Sequence, residues 1–314
     1  MNDLLRQALR IRYAKLRFTI VFCENTRLPK DKPSAIRGGI GEMLLRANCI
    51  RNRNCELCDF REECVVQRTM YTHFKEKPAF VTTGESVGYV LECENIQEVF
   101  KRGETLDFSL LLFGRNLVYF SQYIQAVCAL GREGLGKNRA RFSLVEVVNS
   151  DGDTILSGNR IDMAYYRIRR LDDYVKEQQR LRSDRPFRRL VFHTPLTLKY
   201  HGEFLKEFQI DAILSGIRRR IYMLDCFEEI QREEWMKQEL PRIGTGGQRA
   251  YLRSMERYSS RKDCRMILRG LVGSICLTDV PEEAKALLLA GELIHVGKNT
   301  SFGFGRYEIL GESV

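Results

Sequence analysis

Two stretches of this 314-residue chain carry the same succession of apolar patterns, and that repetition limits the folds open to it. Residues 11–22, IRYAKLRFTIVF, alternate and then turn apolar, as a strand entering a core does. PSAIRGGIGEMLLRAN follows, with Pro33 and Ser34 at a helix start and an apolar stripe of Ile36, Ile40, Met43 and Leu44. PAFVTTGESVGYVLE and TLDFSLLLFG read as strands, RNLVYFSQYIQAVCALG as a helix ending on Gly131, and ARFSLVEVVNSDGDTIL as a strand with a turn at Asp151-Gly152. The second half repeats the order: RRLVFHTPLTLKY, the helix EFQIDAILSGIRRRIYMLDCF, strands RAYLRSMERYSS and CRMILRGLVGSICLT, the helix PEEAKALLLAG, and the strand GRYEIL. This β-α-β-β-α-β order is the split βαβ signature. The expected class is therefore α+β, two tandem ferredoxin-like (RRM-like) domains over residues 1–160 and 189–314. A charged segment, 161–188, links them.

Each half also has a glycine-rich basic loop between its second helix and last strand, GREGLGKNRARF and GKNTSFGFGRY. The second is not a nucleotide-binding P-loop. That template needs a glycine five positions before the Gly-Lys pair and Ser or Thr after it, where this chain has Glu292 and Asn299. Its neighbours also run from helix to strand, the reverse of a P-loop. The loops instead suit phosphate contact: glycines let backbone N–H groups come close, and Lys137, Arg139, Arg141, Lys298 and Arg306, with Asn299, supply charge and donors. Phe302, Phe304 and Tyr307 have two readings, stacking on bases or packing in the core. Lys and Arg exceed Asp and Glu by 51 to 41, a formal charge of +10, which points the same way.

Cys49, Cys55, Cys58 and Cys64 stand at C-x5-C-x2-C-x5-C, an insertion after the first helix. No apolar run is long enough to span a bilayer and the N-terminus lacks a signal-peptide core, so a cytoplasmic location, without membrane attachment, and reduced thiols are expected. Four thiols so close together then suggest one tetrahedral metal site, with structural zinc the first choice and a [4Fe–4S] cluster the alternative. The spacing is one residue short of that in DNA glycosylases of the endonuclease III type. The other cysteines, Cys128 and Cys276 among them, lie mostly on apolar elements and read as core.

GLGKNRARF closing one half and ELIHVGKNTSFGFGRYEIL closing the other, together with FHTPLTLKY, RRRIYML and RYSSRKDCRMILRGLVGSI, resemble one family over nearly the whole chain. It is the CRISPR-associated endoribonucleases of the RAMP superfamily that process precursor CRISPR RNA, and the cysteine insertion resembles that of one branch. The resemblance implies metal-independent cleavage within repeats: the 2′-OH attacks its own phosphate, leaving a 2′,3′-cyclic phosphate and a 5′-OH. CRISPR repeat RNA and the mature crRNA would be the partners, with other effector-complex subunits beyond them. The contrasting reading is a non-catalytic crRNA-binding RAMP subunit.

Such chemistry needs a base, an acid and a cation for the phosphorane. Many relatives carry a histidine in or beside the first helix, whereas here Arg37 and Arg46 are its only cations. Of the four histidines, His193 reads as structural, His201 as solvated in a turn, and His73 as able to approach the first helix. His295, beside Gly297 and Lys298, is the first choice for acid or base, with a packed histidine beneath the loop the competing reading. Lys298 would stabilise the transition state, Tyr258 would orient or transfer a proton, and Arg257 and Arg37 would hold RNA. Arg218, Arg219 and Arg220 read either as a backbone grip or as a solvated basic face.

Overall fold

A computed structural model describes residues 3–72, 74–81, 86–158, 160–259 and 264–311. The side chains of residues 257–259, 264 and 265 lie outside that description. The first half runs β1 (Arg12–Phe22), α1 (Pro33–Asn48), β2 (Tyr89–Glu92), β3 (Thr105–Phe113), α2 (Phe120–Glu133), β4 (Phe142–Val148) and β5 (Thr154–Ser157). Then come α3 (Leu171–Leu181), β6 (Arg189–Leu196), α4 (Ile210–Phe227), β7 (Gly244–Ser259), β8 (Cys264–Thr278), α5 (Glu282–Ile294) and β9 (Tyr307–Leu310). The fold is mixed α+β with antiparallel sheets. One sheet is ordered β2-β3-β1-β4-β5 and continues into the short strand Arg160–Ile161, while Arg169–Arg170 pairs with β1; the other is ordered β7-β8-β6-β9. In each half the first and third strands are central, flanked by the second and fourth.

The boundaries follow local chemistry. Of PAFVTTGESVGYVLE, β2 covers only the last four residues, while residues 82–85 lie outside the described ones. The helix expected from Arg115 begins as a 3-10 turn over Gly114–Tyr119 and becomes α-helical at Phe120. Along β1, Ala14, Leu16, Phe18, Ile20 and Phe22 alternate inward and meet the α1 stripe Ile36, Ile40, Met43 and Leu44 in one core. Gly39 lets α1 close on α2: a Cβ there would lie 2.6 Å from the Leu130 methyls.

The first sheet is covered on both faces. Leu110–Phe113 are buried in an unbroken run, as strands enclosed on two sides require. Tyr13, Val90, Leu111 and Phe113 belong to a second core, shared with β6, α4, α5 and α3 of the later chain. Within the charged segment, Leu171 and Val175 of α3 are fully buried in that core. At about 1.5–3 kcal/mol for each fully buried large aliphatic or aromatic side chain, this shared core holds the halves together. The seam between them positions the candidate site.

Candidate nucleic-acid interface

The second glycine-rich loop, residues 295–306, joins α5 to β9 and lies on the seam. Its backbone turns sharply, with positive φ at His295 (62°), Gly297 (87°), Asn299 (63°), Gly303 (77°) and Gly305 (69°). The glycines here serve close packing within the protein. A Cβ on Gly305 would sit 1.8 Å from the Val296 oxygen, and one on Gly303 would sit 2.6 Å from the Leu91 oxygen of β2. Loop N–H groups are also engaged internally: Lys298 donates to Thr197 O at 2.8 Å and Gly305 to Pro195 O at 3.0 Å. The aromatic residues follow the core reading, not the stacking one. Phe302, Phe304 and Tyr307 are buried, and the Tyr307 hydroxyl donates to Leu288 O at 2.5 Å. Lys298, Asn299 and Arg306 remain half-exposed on the loop.

His295 lies beneath this surface, with no solvent exposure. Its Nδ1 is 3.0 Å from Phe304 O and its Nε2 is 2.9 Å from Glu92 Oε1 at the end of β2. Both partners are acceptors, so the arrangement is complete when each ring nitrogen donates. Glu92 also pairs with Lys15 of β1 at 2.8 Å. Burial alone would raise the Glu92 carboxyl, but the hydrogen bond from His295 and the charge of Lys15 outweigh it and hold the group well below the usual carboxylate range. Proton transfer between His295 and RNA would require the seam to open.

Three further contacts cross the seam beside the loop. The Arg37 guanidinium of α1 lies over the Phe302 ring, 4.3 Å from Cζ to the centroid. It donates from Nε to the Tyr89 hydroxyl at 2.7 Å and from Nη2 to Ser86 Oγ at 3.0 Å. Arg306 pairs with Glu94 at 2.6 Å, and Arg253 of β7 with Asp31 at 2.7 Å. Arg37, His295 and Arg306 thus meet at the seam, and Lys298 and Asn299 lie on the same loop as His295 and Arg306. Lys137, Arg139 and Arg141 stand exposed on the first half's own loop, where the Arg141 N–H donates to Glu24. Arg257 and Tyr258 pair with Met266 and Arg265 through the backbone of the β7–β8 hairpin, while their side chains lie outside the described residues.

The remaining histidines are accounted for differently. His193 is partly exposed on β6 and lies 3.2 Å from Glu308, and His201 packs on Tyr200 in a turn. His73 lies outside the described residues.

Arg220 fits neither the grip nor the solvated-face reading of the arginine run. Arg220 is almost wholly buried, donating to Val87 O at 2.9 Å and Ile294 O at 3.3 Å, and so ties the first half to the residue preceding His295. Arg218 donates to Gln238 O, and Arg219 lies over the Phe80 ring. Only the apolar residues on both sides of Arg220 hinted at this burial.

All four inserted cysteines line one cavity of about 200 Å³ with Leu45, Val65 and Val66 among its walls. Backbone N–H groups of Arg51 and Arg53 lower the Cys49 thiol, which favours the thiolate a soft metal takes. Among the described residues, however, no three metal-ligating side chains are gathered closely enough to share an ion. The donor chemistry fits zinc or iron; the arrangement is not a preformed site. No helix among the described residues is long and apolar enough to cross a membrane.

Residues 9–168 match the family model AF_1859_N, an N-terminal domain, and residues 190–307 match that of the CRISPR-associated endoribonuclease Cas6. The chain belongs to the AF_1859_N family, and its second half is similar to Cas6 over the matched residues. An uncharacterized protein of Archaeoglobus fulgidus is 24% identical over 292 residues, covering 90% of this chain and 92% of its own. A partial Cas6-RT-Cas1–Cas2 complex superposes with a TM-score of 0.58 at 12% identity, covering 96% of this chain and 46% of that one. The present chain thus spans about half the length of that relative. A Cas6 product complex superposes with a TM-score of 0.50 at 16% identity, over 95% of this chain and 100% of that one. At such identities these structures show a Cas6-like fold. The loop docked on Arg37 lies within the residues that match the Cas6 model.

Proposed function

We propose that this chain is an endoribonuclease that cleaves CRISPR precursor RNA within its repeats and then holds the crRNA hairpin. The observation that carries the reading is the docking of the second half's glycine-rich loop onto α1. It lays Phe302, on the same loop that carries Lys298, on the Arg37 guanidinium of the other half. Tandem ferredoxin-like domains divided at 161–188 are in keeping with the shared 2-3-1-4 strand order.

The chemistry follows from what this seam offers. The RNA supplies the nucleophile, its own 2′-OH, which restricts the substrate to RNA. The new 2′-O–P bond forms as the P–O5′ bond breaks, the 2′-OH loses a proton, and the 5′ oxygen gains one. Arg37 and Lys298 oppose the charge of the phosphorane, with Asn299 as a neutral donor. Tyr258 is assigned to the leaving oxygen, and Arg257, Arg306, Lys137, Arg139 and Arg141 to the flanking backbone. His295 is assigned to holding the loop, because its ring is enclosed and both nitrogens are engaged. Rate would then come chiefly from in-line alignment and charge, without a metal ion in the step.

The cysteine cavity is proposed to close around a structural zinc, its four thiolates leaving no position open to substrate. Other subunits of a CRISPR effector complex are proposed as partners of the bound product.

Two observations favour a second reading, a crRNA-binding subunit without activity: α1 bears no histidine, and His295 is buried. Incubation with 5′-labelled repeat RNA decides between them. A 2′,3′-cyclic phosphate on the 5′ fragment is expected; tight binding of intact RNA would favour the second reading.

A further inference from the structure

We infer that Phe302 is a positioning residue that aims Arg37 at the scissile phosphate. The inference rests on the reading of Arg37 as the phosphate-facing cation. An arginine side chain is long and freely rotating, and a half-exposed one on a helix would ordinarily sample many directions. Arg37 is instead held at three points. Two belong to its own half: the Tyr89 hydroxyl at 2.7 Å and Ser86 Oγ at 3.0 Å. Both are fixed in turn, since Tyr89 is buried and Ser86 donates to Met70 O at 2.5 Å. The third is the Phe302 ring, carried by the other half.

The ring contributes what the two hydrogen bonds do not. They fix an edge of the guanidinium, while a flat π face fixes its plane. Phe302 is itself rigidly placed: it is 7% exposed and packs with Phe304, Met255 and Leu268 against the β7–β8 hairpin. The Phe304 carbonyl accepts from His295 Nδ1, whose other nitrogen reaches Glu92. A continuous chain of contacts therefore runs from the edge of the first sheet through the loop to the face of Arg37. The cation is aligned only when the two halves are docked. A displacement of order 1 Å at a reacting centre can cost on the order of 10²-fold in rate, so a ring that fixes this plane affects chemistry beyond its packing.

The test is a double-mutant cycle read by single-turnover cleavage of repeat RNA. Phe302→Leu should slow cleavage about tenfold in the wild-type background, the scale of a partly desolvated cation–π contact, while RNA affinity changes little. Phe302→Tyr should retain the rate. In an Arg37→Ala background, Phe302→Leu should have no further effect, because the ring acts through the guanidinium. Equal slowing in both backgrounds would make Phe302 a packing residue and overturn the inference. A parallel measurement needs no activity: the Arg37 Nε–H resonance should carry a ring-current shift that Phe302→Leu abolishes and Phe302→Tyr keeps. If the wild type binds repeat RNA without cutting it, the enzymatic reading fails. The same cycle read as affinity then judges the inference, with additivity again overturning it.

Discussion

His295 and Glu92 meet across the seam at 2.9 Å, one from the glycine-rich loop of the second half and the other from the edge of the first sheet. Neither is open to solvent to any large degree, and Lys15 completes the group from β1. The pair locks the glycine-rich loop to the opposite half.

His295→Ala should therefore act on stability first. It leaves Glu92 with Lys15 alone and the Phe304 carbonyl without its donor, a cost of about 2–3 kcal/mol. Denaturant midpoints compare the two proteins. Unchanged stability, with one limb of the pH–rate profile lost, would make His295 an acid or base after all.

The same pair sets an acid limit. Because the Glu92 carboxyl is held below its ordinary range, its contribution is full above the usual carboxylate pKa of about 4.3 and is lost as pH falls below it. Glu92→Gln should be less stable than wild type at neutral pH and approach it as the medium is acidified. Urea unfolding at pH 7, 5 and 3 reads this, and a constant difference would contradict it.

Asp225 at the end of α4 titrates in the opposite sense. Burial pushes its carboxyl up to about 7 despite Arg232 at 2.5 Å, and Oδ2 has no hydrogen-bond partner among the described residues. A raised carboxyl contributes stability below its unfolded pKa that is lost as pH rises through its folded one. Wild-type stability should thus carry a declining component between about pH 4 and 7 that Asp225→Asn removes. An identical pH dependence in the two proteins would exclude this assignment.

Much of the fold was legible because strands and helices announce themselves by period. The β1 alternation and the α1 stripe Ile36, Ile40, Met43 and Leu44 entered the core as expected. The seam was not legible. Arg37 and Phe302 are 265 positions apart, and no local pattern pairs them. Arg220 looked like one of three surface arginines, since buried charge is recognised by the carbonyls it satisfies, here Val87 and Ile294. The loop glycines and aromatics suggested contact with RNA, yet the clearances at Gly303 and Gly305 are taken by Leu91 and Val296.

Arg220→Met keeps the bulk of the side chain and removes both donors. It should cost about 3 kcal/mol, since two buried carbonyls lose their partners. A calorimetric scan checks this, and a loss below about 1 kcal/mol would show that the bond to Ile294 does not hold the loop.

Zinc content provides a separate check on the cysteine insertion. Protein purified without chelator should carry about one zinc per chain, and Cys58→Ser should lose it together with thermal stability. Cleavage by the remaining folded protein should persist. Metal-free protein of unchanged stability would contradict the proposal.

The central claim is tested most directly by single-turnover cleavage of repeat RNA in EDTA, with and without a 2′-deoxy substitution at the scissile nucleotide. The account predicts cleavage of the all-RNA substrate, no cleavage of the 2′-deoxy one, and a loss of about 10²–10³-fold for Arg37→Ala. Cleavage of the 2′-deoxy substrate, or dependence on an added divalent ion, would contradict it.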